Sequence, residues 1–315
     1  MGREIRDLVA TAGLHGLRLI AEDDEVAGIL TEQGGEPTLA TGLTPDSLDN
    51  ARVVFLAGST QSARKALDMA TDAVAIDLTY TAEERPNARL RAPMAEPEGY
   101  SAPADAVQVI AHPAAIAIAL VLRRINEVHP IRRTVIHVFE PASERGKSGI
   151  EELQQQTVGL LSFKSLPKAV YDEQLSFNML ARYGEEAPVA LEDVEARLER
   201  HLATLLALAE DPIPMPSVRL IQAPVFHGYS ISLWIEFEEN PGAAEVEAVL
   251  AVPNVDVRDA ALGPPNTVGM AGQSGIAIGA VTVDRNDPDA CWLWLAADNL
   301  RLAAENAVAV ARQYL

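Results

Sequence analysis

The sequence contains a single cysteine, Cys291, among its 315 residues. One cysteine can neither form an internal disulfide bond nor supply the several thiolates of a typical structural zinc site. We therefore expect no metal site, and we expect a reducing compartment, the cytoplasm. The segment CWLWL has the pattern of a buried strand, so we expect its thiol to pack as a small apolar group.

Basic residues and long apolar runs are also scarce. The 45 acidic and 25 basic residues give a formal charge of −20, which repels phosphate backbones and anionic membranes. No stretch reaches the roughly 18 uncharged apolar residues of a membrane span. The N-terminus, MGREIRDLVATAGLHG, is charged and helix-like, unlike an export signal. We expect no nucleic-acid partner and no membrane segment.

The residues that are present predict two packed domains. Hydrophobic residues make up 48% of the chain, enough for sizeable cores. Short apolar runs in the first third (GLRLIAE, VVFLAGS, AVAIDLTY, AVQVIAH) alternate with amphipathic segments, which is typical of βαβ units. After about residue 130, RRTVIHVFE and APVFHGYSISLWIEFE predict long half-buried strands, with helices at about 146–157 and 188–209.

Four blocks at ordered spacing carry a family resemblance: FEPASERGKSGIEELQQQT, LSFNML, APVFHGYSISLWIEFE and WLWLAADNLRLAAENAV. Together they resemble the aspartate-semialdehyde dehydrogenase family, in particular its Usg-like homologues. The resemblance implies an α/β fold with a Rossmann-like NAD(P)-binding domain at 1–115, on which a C-terminal helix at 298–315 docks. It also implies an α+β dimerisation domain at 116–297 and a homodimer that pairs through the sheet of that domain.

Enzymes of this family reduce aspartyl phosphate with a nicotinamide cofactor, through a cysteine thiolate and a histidine. The family's pattern A-N-P-N-C-S-T at the nucleophile aligns with Ala111 to Ala117, which places Ala115 at the cysteine position. A methyl group cannot attack a carbonyl carbon. Tyr229 stands at the histidine position, and a phenol with a pKa of about 10 is a poor proton acceptor near neutral pH.

The family's substrate contacts differ in the same direction. The arginine that binds the substrate carboxylate falls on Gln222, and the active-site glutamine falls on Glu140. The arginine that binds phosphate falls on Glu83, although a local shift of the alignment would bring Arg85 into that role. The resemblance therefore predicts a dimeric binding or scaffold protein with no intact catalytic site.

The family's cofactor site is also incomplete. Met1–Glu4 matches only the end of the pattern G-A-T-G-x-V-G-R-E, so the first strand and most of the phosphate loop are expected to lie upstream of this start. Either the start codon is misplaced or the domain is truncated, and truncation would expose sheet edges. The acidic run 22–25 disfavours NADP and is either a solvated turn or a partner for the ribose of NAD. The remaining candidate contacts of NAD or NADP are Gly58, Ser59, Ser143, Gly146 and Asn299.

Two alternatives stay open at this point. One is an enzyme with altered chemistry built on His112, His227, Glu140 or Tyr229. His227 and Tyr229 would share one face if their segment is a strand, and His112 before Pro113 is either a helix cap or a core residue. The other alternative is a nucleotide or metabolite sensor whose small-molecule ligand is neutral or cationic, because the chain is acidic.

Overall fold

The computed structural model describes residues 1–21, 30–33, 36–69, 72–103, 105–259 and 261–315. The chain divides into two compact units, residues 1–111 with 303–315 and residues 112–302. The boundary expected at residue 115 falls inside a helix that begins at Pro113. Within the described ranges, no helix is long and apolar enough to cross a membrane.

The first unit is built on four parallel strands in the order β3, β4, β6, β5. Its elements are α1 (Gly2–Thr11), β1 (Leu30–Gln33), β2 (Glu36–Leu39), α2 (Pro45–Leu48), β3 (Val53–Leu56), α3 (Thr60–Asp68), β4 (Val74–Asp77), β5 (Ala88–Arg91) and β6 (Val107–Ile110). The βαβ prediction is confirmed for this sheet. The strand expected at GLRLIAE is wrong: of its described residues, 16–21, only Ile20 forms a bridge, parallel to Thr41. The acidic run 22–25 lies outside the described residues.

Both faces of this sheet are covered. Ile5 and Val9 of α1, four residues apart, pack with Ala304 and Val308 of α9 (Asn299–Arg312) against the strand residue Phe55. Ala63 and Ala66 of α3 pack on the opposite face. The outer edge of β3 pairs with no further strand in the described part of the chain.

The second unit is a six-stranded mixed sheet in the order β10, β11, β12, β9, β7, β8. Its elements are α4 (Pro113–Asn126), β7 (Ile131–Glu140), a 3₁₀ helix (Ala142–Arg145), α5 (Gly146–Leu161), α6 (Leu191–Leu206), β8 (Ser217–Gln222), β9 (Tyr229–Phe237), α7 (Ala243–Leu250), β10 (Val255–Arg258), α8 (Thr267–Met270), β11 (Ile276–Val283) and β12 (Ala290–Ala297). The helices expected at about 146–157 and 188–209 are confirmed as α5 and α6.

The two faces of this second sheet differ in composition. Alternate residues such as Ile231, Leu233 and Leu295 are fully buried on the face that α4, α6 and α7 cover. The opposite face carries Trp234 directly across from Trp292, a pairing that strand alternation produces. Cys291 is buried in β12, as expected, and its Sγ lies 3.3 Å from Asn240 Oδ1.

The segment APVFHGYSISLWIEFE is not one strand, so this part of the prediction is wrong. β8 ends at Gln222 and β9 begins at Tyr229. Pro224 cannot donate a ladder hydrogen bond, and Gly228 adopts φ +83°, which a strand does not use. His227 is therefore exposed in a turn whereas Tyr229 is buried, and the two side chains do not share a strand face.

Candidate functional site

The start of α4 places the predicted nucleophile position in the second unit. Pro113 opens the helix, where its missing N–H is harmless, and Ala115 is the third helical residue and fully buried. His112 occupies the N-cap position, but its side chain makes no capping hydrogen bond. Its ring lies 6.0 Å from the ring of Tyr229, centroid to centroid. The predicted nucleophile helix and the predicted histidine position therefore converge.

A second histidine holds this helix terminus in place. The backbone N–H of His112 donates to Nδ1 of His201, on α6, at 2.9 Å. The imidazole must therefore carry no proton on Nδ1 in this arrangement. Because the two residues are 89 positions apart, no local pattern in the sequence could have indicated this contact.

Replacement of His201 by leucine is expected to destabilise the second unit by about 1–3 kcal/mol, since a buried backbone N–H loses its acceptor. His201→Asn should lose less stability than the leucine variant, because its side-chain oxygen can replace Nδ1 as the acceptor. Urea unfolding followed by tryptophan fluorescence measures this, because Trp234, Trp292 and Trp294 all lie in that unit. Equal stabilities for the leucine variant and the wild type would contradict the assigned contact.

A buried ion pair occupies the end of β7. Glu140 is fully buried, and Arg145 Nη2 donates to its Oε1 at 3.1 Å. Burial raises the pKa of Glu140 to about 7, against the opposing pull of the Arg145 guanidinium. Burial alone would lower the pKa of Arg145, but Glu140, Tyr183, Glu144 and Tyr229 together outweigh it and hold that pKa above its usual value. The family pattern indicated Glu140 but not Arg145, although their opposite charges five residues apart are a usable signal.

Two tyrosines enclose this ion pair. The rings of Tyr171 and Tyr183 meet edge to face with centroids 5.3 Å apart, and burial raises both phenol pKa values above their ordinary range. A Cβ on Gly149 would lie 2.7 Å from the Tyr171 hydroxyl and 2.5 Å from the Ala142 carbonyl oxygen, so only glycine fits there. At neutral pH the two phenols stay neutral.

Gln222, at the predicted carboxylate-binding position, has its amide engaged internally. The Tyr183 hydroxyl donates to its Oε1 at 2.5 Å, and its Nε2 donates to the carbonyl oxygens of Glu140 and Ala223 at 2.8 and 3.1 Å. Binding a substrate carboxylate here would require these buried bonds to break. Gln222 thus links the end of β8 to the buried ion pair.

The remaining predicted substrate position lies in the first unit. Glu83 is half-buried in a turn after β4, with its N–H bonded to the carbonyl of Tyr80. Arg85, the alternative phosphate contact, bonds the Asp68 carboxylate at 3.2 Å. The structure therefore groups Glu140, Gln222 and the α4 terminus within one unit, and it places Glu83 and Arg85 in the other.

The candidate cofactor contacts are also divided between the units. Gly58 and Ser59 follow β3, and Ser59 Oγ caps α3 by accepting the N–H of Ser62 at 3.2 Å. Gly146, with φ +66°, opens α5.

Ser143 and Asn299 are buried in the second unit. Ser143 donates to Asn299 Oδ1 at 3.1 Å. The Asn299 amide also accepts from Gly228 N at 3.1 Å and donates to Glu144 at 2.7 Å. These two side chains thus serve internal bonds. The five contact assignments stay predictions. The described ranges also contain no group of three or more residues suited to a metal ion.

Comparisons with known proteins agree with this architecture. Residues 122–302 match the family described as "Semialdehyde dehydrogenase, dimerisation domain". The aspartate-semialdehyde dehydrogenase of Rickettsia bellii is 30% identical over 215 residues, which cover 66% of this chain and 62% of that protein. The USG-1 protein homolog of Pseudomonas aeruginosa is 34% identical over 168 residues, 53% of this chain and 49% of that protein. The chain thus matches less than two thirds of the length of these two relatives.

The similarity to solved structures extends over nearly the whole chain. The structure of a probable aspartate-semialdehyde dehydrogenase from Pseudomonas aeruginosa aligns with a TM-score of 0.85 and 26% identity, covering 99% of this chain and 94% of that one. Both units described above are therefore included in the similarity. The α/β parallel sheet and the mixed sheet are shared with that protein.

Proposed function

The chain belongs to the semialdehyde dehydrogenase family, and from that premise we propose that it is a cytoplasmic, dimeric homologue of aspartate-semialdehyde dehydrogenase that lacks the reductive dephosphorylation of aspartyl phosphate. It serves instead as a binding or scaffold protein. The observation that carries the proposal is Ala115, a buried methyl group at the nucleophile position of α4. No acyl intermediate can form on it.

The surroundings of Ala115 support the same conclusion. Tyr229 supplies a buried phenol where the family uses an imidazole. Gln222 is bonded to Tyr183, and Glu140 is paired with Arg145, so the substrate positions are filled by contacts within the chain. Membership of the family makes NAD or NADP a possible cofactor. The proposed role rests on the retained fold rather than on chemistry.

The direct test is an assay of NADP reduction with aspartate semialdehyde and phosphate. Turnover at the rate of an active family member would contradict the proposal.

One observation favours an enzyme with altered acid–base chemistry as a second candidate, since burial raises the pKa of Glu140 to about 7, a value suited to proton transfer. We rank it second because Glu140 is fully buried and already paired.

The proposed homodimer would use the open face of the second sheet. Trp234 and Trp292 pair there, and Trp292 is 37% exposed. The Asp284 carboxylate accepts both indole N–H groups at 2.8 Å, which fixes the two rings on the surface. Tryptophan on an exposed sheet face is typical of an interface, and the matched family is itself named for dimerisation.

Replacing Trp292 by glutamate is expected to weaken the dimer by at least about 30-fold, because aromatic interface residues commonly contribute 2 kcal/mol or more. Sedimentation velocity over a concentration series measures the dissociation constant. Val268→Glu adds the same charge at a site that is 86% exposed on α8 and should leave association unchanged. A monomeric wild type, or a dimer indifferent to Trp292→Glu, would rule out this interface.

A further inference from the structure

The first unit contains a cavity whose lining includes one predicted site residue, Arg85, the alternative phosphate contact, and none of the candidate cofactor contacts. Its volume is 510 Å³, within the range of small-molecule sites. Its floor is apolar and comes from three adjacent parallel strands through Val54, Leu56, Ala75 and Val107. The end of α3 forms one wall, with Ala66, Leu67 and Met69.

The cavity lies at the amino ends of the strands. Three of its lining residues directly precede strands: Ala73 comes before β4, Asn87 before β5 and Ala106 before β6. Ligands of parallel α/β sheets ordinarily bind beyond the carboxyl ends, where Gly58 and Ser59 follow β3. The cavity is therefore a separate location from the candidate cofactor contacts of this unit.

The residues at the mouth decide which charge a ligand should carry. Asp72 and Asp105 line the cavity and are exposed, and neither side chain has a hydrogen-bond or ion-pair partner among the described residues. Arg85 also lines it, but its guanidinium already bonds the Asp68 carboxylate at 3.2 Å. Within the described ranges, these two carboxylates above the apolar floor thus have no basic partner.

We propose that this cavity binds a small amphipathic cation, with an apolar ring or branched chain on the strand floor and a protonated amine at Asp72 and Asp105. The apolar part gains free energy by leaving water, at about 25 cal/mol per Å² of buried surface. The protonated amine forms ion pairs with the two carboxylates, and the acidic charge of the whole chain favours its approach. An anion of the same size would meet repulsion at the mouth.

The test compares three probes of nearly equal size: 2-phenylethylamine, neutral 2-phenylethanol and anionic 3-phenylpropionate. Chemical-shift titration of the whole protein should show the amine binding most tightly and the anion most weakly. Asp72→Asn and Asp105→Asn should each weaken amine binding about threefold to fivefold, as expected for a partly exposed ion pair. Asp46→Asn, an exposed acid on α2 that does not line the cavity, is the matched control.

Filling the cavity provides an independent check. Ala75→Leu places a larger side chain on the floor and should abolish shifts from all three probes, while the amide spectrum shows that the fold is retained. The proposal fails if no probe binds, if the anion binds best, or if Ala75→Leu leaves amine binding intact. Any of these results leaves the proposed loss of dehydrogenase activity untouched, because that is decided by the turnover assay.

Discussion

Supplied with aspartate semialdehyde, inorganic phosphate and NADP, the wild-type protein should form NADPH at least about 10³-fold more slowly than an active family enzyme, because a covalent nucleophile commonly contributes 10³ to 10⁶ in rate. Ala115 has no atom that can attack the substrate carbonyl. His112 lies three residues before Ala115, but its imidazole is buried in the core against the ring of Tyr229. The absorbance of NADPH at steady state measures this rate.

Engineered variants show whether the substitution at Ala115 is the cause. Ala115→Cys combined with Tyr229→His restores the thiolate and the imidazole of the family and should raise the rate above wild type. Ala115→Cys alone should raise the rate less than the double variant, because proton transfer would still depend on a phenol. Ala114→Cys adds a thiol to the neighbouring buried residue of α4 and should gain nothing. Wild-type turnover at the family's rate would overturn the proposed function.

The second large effect is expected in the pH dependence of stability, through Glu140. Burial raises its folded-state pKa from 4.5 to about 7, so the folded protein holds this proton more strongly than the unfolded chain. The free energy that protonation of Glu140 adds to folding is complete below the pKa of this group in the unfolded chain. It is lost as the pH rises through about 7. A shift of this size corresponds to on the order of 3 kcal/mol, because each pKa unit is about 1.4 kcal/mol.

Glu140→Gln removes this titration, so its stability should change less than that of the wild type between pH 5.5 and 8.5. Urea unfolding followed by tryptophan fluorescence reports on the second unit and gives both pH profiles. Glu151→Gln is the control, since Glu151 is an exposed partner of Lys147 on α5 and its variant should follow the wild type. Parallel profiles for Glu140→Gln and the wild type would show that Glu140 does not titrate in this range.

Much of the fold could be read from periodicity. The βαβ rhythm predicted β3, β4 and β6, and the spacing of apolar residues predicted α5 and α6. The prediction failed where a few residues changed the chain direction. Pro224 and Gly228 lie in the first six residues of the run predicted as a strand, and they confine β9 to Tyr229–Phe237. Tertiary bonds from Ala142 and Ser143 to the carbonyls of Val225 and Phe226 hold that turn.

The candidate site was predicted only in part, because a motif names positions and not their partners. The sequence indicated Glu140 and Gln222 as altered family positions. It did not indicate that Arg145 neutralises the first or that Tyr183 engages the second. No motif indicated His201, which lies on α6 and accepts a hydrogen bond from the backbone at the start of α4.

The sequence by itself determined the family resemblance, the acidic charge and the alanine at position 115, because each of these depends on residue identity alone. Only the tertiary structure decided that Glu140 forms a buried ion pair with Arg145 and that Gln222 bonds Tyr183. Only the structure revealed a cavity at the amino ends of the first sheet. The physical reason is that burial sets the pKa of Glu140, and that pairing and open volume arise between residues distant in the chain.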